Sequence, residues 1–205
     1  MNMLAATLLL TYTDEGELGS VSGSADETEQ AFWVLDSMID RLLPTDYYAP
    51  SLLGSRANQL VLQDLVQLHI PKIWTHLQNL SIDLTSITFG WFLSLFTDIL
   101  PVETLFRVWD IFFLPAEQGE GGNAILFRIA LAILKINEQD LLRSASVPAV
   151  FEYLSGIKLS SKLWNPDKLI ALQHSYKGVI KGNEIRKRVE DKIDQLQREL
   201  DQDDD

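Results

Sequence analysis

The sequence predicts an all-α domain. Three observations carry that prediction. Apolar residues recur at three- and four-residue steps along nearly the whole chain. No segment alternates apolar and polar residues as a half-buried strand does, and prolines and capping residues cut the chain into helix-sized pieces. The 205 residues suit one globular domain or two small ones, and no internal repeat is visible.

Each element has its own signal. Residues 3–10 are apolar and read as a core helix, because no basic residue precedes them and no small-residue cleavage site follows. Residues 13–30 hold Asp14, Glu15, Glu17, Asp26, Glu27 and Glu29 with glycines, serines, threonines and no base, and read as a solvated acidic loop. Asp26 and Glu29 resemble a capping box, after which Phe32, Leu35, Ile39 and Leu42 share a helical face until Pro44. Residues 51–70 carry Leu53, Ala57, Leu60, Val61, Leu65 and Leu68 at helical spacing. Pro71 opens a short helix with Ile73, Trp74, Leu77 and Leu80, a position where its missing N–H is harmless.

Residues 87–100 are apolar on most faces and predict one buried helix. After Pro101, Leu105, Phe106, Trp109, Phe112 and Phe113 predict an amphipathic one. A loop over 115–122 leads to Asn123, the expected N-cap of a helix over 124–137. Shorter helices are expected over 147–154 and 167–176. A last one, from about Asn183, places Val189, Ile193, Leu196 and Leu200 on a seam too short for a coiled coil, so it packs back on the domain or extends from it.

Composition narrows function by exclusion. There are 29 acidic and 17 basic residues, a net charge of −12, so the basic stripe of a nucleic-acid binder is not expected. Residues 13–30 and 199–205 hold eleven of the acids, and the rest of the chain is close to neutral. The absence of cysteine removes disulfides, thiol catalysis and cysteine-ligated zinc. No run of about 20 apolar residues is present; the best, 124–136, contains Arg128 and Lys135. His69, His76 and His174 lack ligand spacing, and Asp36, Asp40, Asp98 and Asp110 form no recognisable acid–base pair. Gly119, Gly121 and Ala124 fit G-x-G-x-x-A, but the preceding pattern is helical, so a glycine-rich loop is expected there. Lys181, Arg186, Lys187 and Arg188 form a modest basic cluster that could contact acidic lipid or nucleic acid, and they read first as the wet face of the last helix. No catalytic, cofactor-binding or metal-ligating residue is assigned.

A specific pattern goes further. Tyr48-Ala49-Pro50-Ser51-Leu52-Leu53-Gly54, then His76-Leu77, Leu80-Ser81-Ile82-Asp83-Leu84, Trp91-Phe92-Leu93-Ser94-Leu95-Phe96, Leu100-Pro101, Arg107-Val108-Trp109-Asp110 and Leu126-Phe127-Arg128-Ile129-Ala130-Leu131-Ala132 follow one another. In order and spacing this resembles TBC domains, the GTPase-activating domains for Rab-type GTPases, from Met1 to about Leu154. The motif residues Trp91, Phe96, Pro101, Arg107, Trp109, Asp110 and Phe127 are expected to be structural. Trp33, Trp74, Trp91 and Trp109 are expected between helices, and Arg107 and Asp110 paired with each other or with neighbouring backbone.

The resemblance implies an all-helical fold, no cofactor, and a Rab-type small GTPase as partner in vesicle traffic. It also implies a cytoplasmic setting, with any membrane association peripheral and made through partners. TBC domains work with an arginine from I-x-x-D-x-x-R and a glutamine from Y-x-Q; an arginine supplied in trans is worth roughly 10³–10⁵ in rate. Neither motif occurs here, and Met1-Asn2-Met3-Leu4-Ala5-Ala6 resembles the segment that follows the glutamine motif. The expectation is therefore a C-terminal TBC portion over 1–155 with little activating activity and with apolar faces left uncovered, then a helical extension with an acidic tail over 156–205. The alternative is a non-catalytic helical module that binds a GTPase or another protein.

Overall fold

The computed structural model describes residues 2–12, 25–114, 122–155 and 165–203, and among these it contains helices and no strand. In chain order the helices are α1 (Asn2–Tyr12), α2 (Ala25–Ser37) with a π-helical turn at Met38–Leu42, α3 (Leu53–His69), α4 (Pro71–Asn79), α5 (Thr85–Leu93), α6 (Val102–Phe112), α7 (Asn123–Ile136), α8 (Glu138–Arg143), α9 (Val147–Ser155), α10 (Pro166–Ser175) and α11 (Gly182–Asp203).

The core is built around α7. All residues over 124–134 are buried, including Arg128 at 1% exposure. A helix apolar on every side must be covered on every side, and α3, α6, α8, α10 and α11 pack around it. The second axis is α3, which contacts α4, α5 and α11 as well as α7. The prolines act as expected: Pro71 and Pro166 occupy the first turns of α4 and α10, where Asn165 Oδ1 accepts the Lys168 N–H at 3.3 Å. Pro44 holds Leu43 in an extended conformation and ends the π turn.

The C-terminal helices belong to the same core. Ile185, Val189 and Leu196 of α11 are buried and Ile193 and Leu200 are half-buried, laid against α3 and α7, so the seam packs back on the domain. Leu169 of α10 and Ile180 are buried in the same cluster.

Four local expectations change. Residues 25–30, assigned to the acidic loop, are helical, and the helix begins at Ala25, before the expected cap at Asp26. Phe32 and Trp33, expected inside, are 57% and 58% exposed, while Ala31 and Met38 are buried. The π turn widens the helix after Ser37, which shifts Ile39 and Leu42 relative to the stripe that Phe32 and Leu35 begin. The single helix expected over 87–100 stops at Leu93. There Leu95 (φ 47°) and Phe96 (φ 67°) turn left-handed, and the Phe96 N–H reaches back to the Trp91 carbonyl at 2.8 Å. Asn123 does not cap α7. Its amide exchanges two hydrogen bonds with the Asn58 amide on α3, at 2.7 and 2.9 Å, leaving Gly122 (φ 64°) to open the helix.

Candidate functional site

The sequence motif folds into a buried aromatic joint under α5, α6 and α7. Phe92 meets Phe127 edge-on with centroids 5.4 Å apart, and Phe96 lies 5.9 Å from Phe92 and 6.4 Å from Trp91. Trp109 reaches across from α6 and donates its indole N–H to the Leu95 carbonyl at 3.1 Å. Trp91, Phe96, Trp109 and Phe127 are therefore brought together, and half-buried Pro101 starts α6 beside them.

Two tyrosines complete the joint. Tyr47 donates its hydroxyl to the Phe92 carbonyl at 3.1 Å and Tyr48 to the Leu93 carbonyl at 2.7 Å, satisfying the last turn of α5. Burial pushes both phenols well above their ordinary range, so they stay neutral donors. Ser55 Oγ donates to the Tyr47 carbonyl at 2.5 Å, tying the same turn to α3. Neither hydroxyl's role is legible in the sequence, because a carbonyl 45 residues away leaves no local signal.

Arg107 and Asp110 are separate from this joint. Both are exposed on the outer side of α6, and no ion pair joins them. Asp110 instead stands at a groove of about 330 Å³ between α1, α2 and α6, lined by Leu8, Thr11, Val34, Phe106, Trp109 and Phe113. The groove adjoins an apolar surface. Helix α1 has no charged residue, buries Leu4 and Leu8 and exposes Met3 (58%) and Leu10 (68%), and α2 next to it exposes the edge-stacked Phe32–Trp33 pair. Exposed large apolar side chains on two neighbouring helices are more informative than single ones scattered over a surface. Trp74 is half-buried, as an interhelical tryptophan, whereas Trp33 is not between helices.

The remaining candidates are dispersed. His76 Nε2 lies 3.0 Å from the Ser144 carbonyl, His69 packs edge-on to Tyr176 at 6.1 Å, and His174 is exposed on α10. Asp36, Asp40 and Asp98 are exposed and on different elements. Among the described residues no group of three or more His, Asp or Glu is placed to hold a metal ion, and no helix is long and apolar enough to cross a membrane. Gly119 and Gly121 of the glycine-rich motif lie outside the described residues.

Comparison with known proteins matches this aromatic-jointed helical fold to one family. The profile of the Rab-GTPase-TBC domain matches residues 1–142. A TBC domain-containing protein of Schizosaccharomyces pombe is 39% identical over 170 residues, which is 83% of this chain and 19% of that protein. Growth hormone-regulated TBC protein 1 of Homo sapiens is 35% identical over 161 residues, 78% of this chain and 42% of that protein. The chain thus spans less than half the length of these relatives. Among solved structures, the Chlamydomonas flagellar RabGAP TBC domain superposes with a TM-score of 0.65 at 26% identity, over 84% of this chain and 50% of that one. The chain belongs to the Rab-GTPase-TBC domain family.

Proposed function

We propose that the chain supplies the C-terminal half of a GTPase-activating domain for a Rab-type GTPase in vesicle traffic. In this reading it acts as scaffold and contact surface, in the cytoplasm or at endomembranes through its partners. It does not contribute the arginine and glutamine fingers, because neither I-x-x-D-x-x-R nor Y-x-Q occurs in its 205 residues. The observation that carries this reading is the uncovered apolar surface of α1 and α2, centred on Met3, Leu10, Phe32 and Trp33. Leaving side chains of that size in water forgoes roughly 1.5–3 kcal/mol each relative to full burial. The matched region is half of the solved relative's chain, so chain beyond the match is available there to cover such a surface.

The experiment is a hydrolysis assay on a panel of GTP-loaded Rab proteins. Catalytic amounts of the chain should leave every rate unchanged, and a clear acceleration of any of them rejects the proposal. Pull-down with GTP-loaded and GDP-loaded forms reads contact separately. Binding to a GTP form without turnover supports the non-catalytic module that the same exposed surface would also serve.

A further inference from the structure

A cavity of about 340 Å³ lies away from the motif joint and from the α1–α2 surface. It sits where the π turn, the start of α7 and the first half of α11 meet. Its floor is apolar: Leu43, Ala124, Ile185 and Val189 are each 8% exposed or less. Its walls are cationic. Arg41 of the π turn and Arg186 of α11, two elements about 140 residues apart in sequence, both line it at its exposed side, and neither guanidinium is in an ion pair with a described residue. One acid, Glu190, also lines it.

Helix α7 begins in the same wall, at Asn123 and Ala124. No side chain caps its first N–H groups, because the Asn123 amide is engaged by Asn58. Those N–H groups add positive potential to the two arginines. Guanidinium forks match the oxygens of phosphate, and an apolar floor below them matches a hydrocarbon or aromatic body. Two guanidiniums offset by one carboxylate leave a net charge of +1, which with the helix N-terminus is closer to the charge of a monoester than to that of a polyphosphate.

We propose that this cavity binds a small phosphate monoester carrying an apolar body. The source of the ester is either a soluble metabolite or a lipid headgroup, and the chemistry recognised is the same. Arg41 and Arg186 hold the phosphate, the α7 N-terminus supports it, and Leu43, Ile185 and Val189 take the apolar part.

Titration of the ¹⁵N-labelled chain with phenyl phosphate tests this. The amide resonances of Leu43, Ala124 and Ile185 should shift together and saturate in the millimolar range expected of so small a ligand. Inorganic phosphate should bind more weakly, since it leaves the floor unfilled. The Arg41→Gln/Arg186→Gln double variant, both sites being exposed, should keep the wild-type melting curve and lose at least about tenfold in affinity. Glu190→Gln should tighten binding by roughly two- to tenfold. Vesicles of phosphatidylcholine with and without phosphatidic acid, whose headgroup is itself a phosphate monoester on an apolar body, separate the sources. Arginine-dependent sedimentation with the phosphatidic acid vesicles assigns the ester to a lipid, and a phenyl phosphate response without it assigns a soluble ligand. The proposal is overturned by equal affinity in the double variant, by shifts scattered around Lys187 and Arg188 instead of the cavity, or by no response to phenyl phosphate.

Discussion

Replacing Gly54 with alanine tests whether the Tyr47–α3–α5 joint is as tight as the structure shows. Gly54 is the second residue of α3, and a Cβ there would lie 2.5 Å from the Thr45 carbonyl oxygen and 3.1 Å from the Tyr47 backbone nitrogen and Cα. Ordinary contact begins near 3.4 Å, so α3 and the 45–47 turn must separate by roughly 0.9 Å. All three obstructing atoms are backbone, and no side-chain rotation relieves the clash. The displaced turn carries the Ser55–Tyr47 bond and the Tyr47–Phe92 bond. Overpacking costs about 1–3 kcal/mol and a loosened buried hydrogen bond about 1 more, giving a loss of roughly 2–4 kcal/mol. In a domain of this size that is roughly 4–16 °C in melting temperature. Gly90 is the internal control: it is exposed within α5, and a Cβ there meets nothing within 4 Å. Gly90→Ala should therefore stabilise by about 0.5–1 kcal/mol through the unfolded chain. Urea unfolding with matched slopes reads both variants. A Gly54→Ala midpoint indistinguishable from wild type, or both variants shifting the same way, refutes the reasoning.

Three further outcomes are expected. Tyr47→Phe should destabilise by about 1–3 kcal/mol, because it strips the buried Phe92 carbonyl of its donor, and Tyr48→Phe by less, being half-buried; equal and negligible effects in chemical denaturation would contradict the capping role. Asn58→Ala and Asn123→Ala should couple in a double-mutant cycle by roughly 1 kcal/mol or more, whereas additive effects would return Asn123 to a local role. Burial, and then the charge of Arg188, hold the His69 pKa below its ordinary value. The fold thus favours the neutral ring: the stability His69 contributes is complete above the ordinary histidine pKa and is lost as pH falls through the lowered folded value. Arg188→Gln should raise that pKa in an NMR titration, and an unchanged or lower value would exclude the assigned cause.

The α11 seam, the proline-started helices and the all-round apolar α7 are properties of local sequence, written in a period of 3.6 and in backbone chemistry that acts within a few residues. The family was likewise legible, since motif order survives without coordinates. Where helices stop, and which face turns inward, was decided elsewhere. Helix α5 ends at Leu93 because Tyr47, Tyr48 and Trp109 offer donors to its last carbonyls and to Leu95, contacts that cross 14 to 45 residues. Asn123 left its expected capping role for an amide 65 residues away. Trp33 and Phe32 carry the same apolar signature as Trp91 and Phe92, and only packing separates an exposed pair from a buried one. The arginine-walled cavity follows the same rule. Arg41 and Arg186 are ordinary surface cations in sequence, and they form a site only because α11 folds back over the π turn. Periodicity reports which residues avoid water, but a pairwise contact between distant segments has no period, so the joints and cavities of this protein exist only in three dimensions.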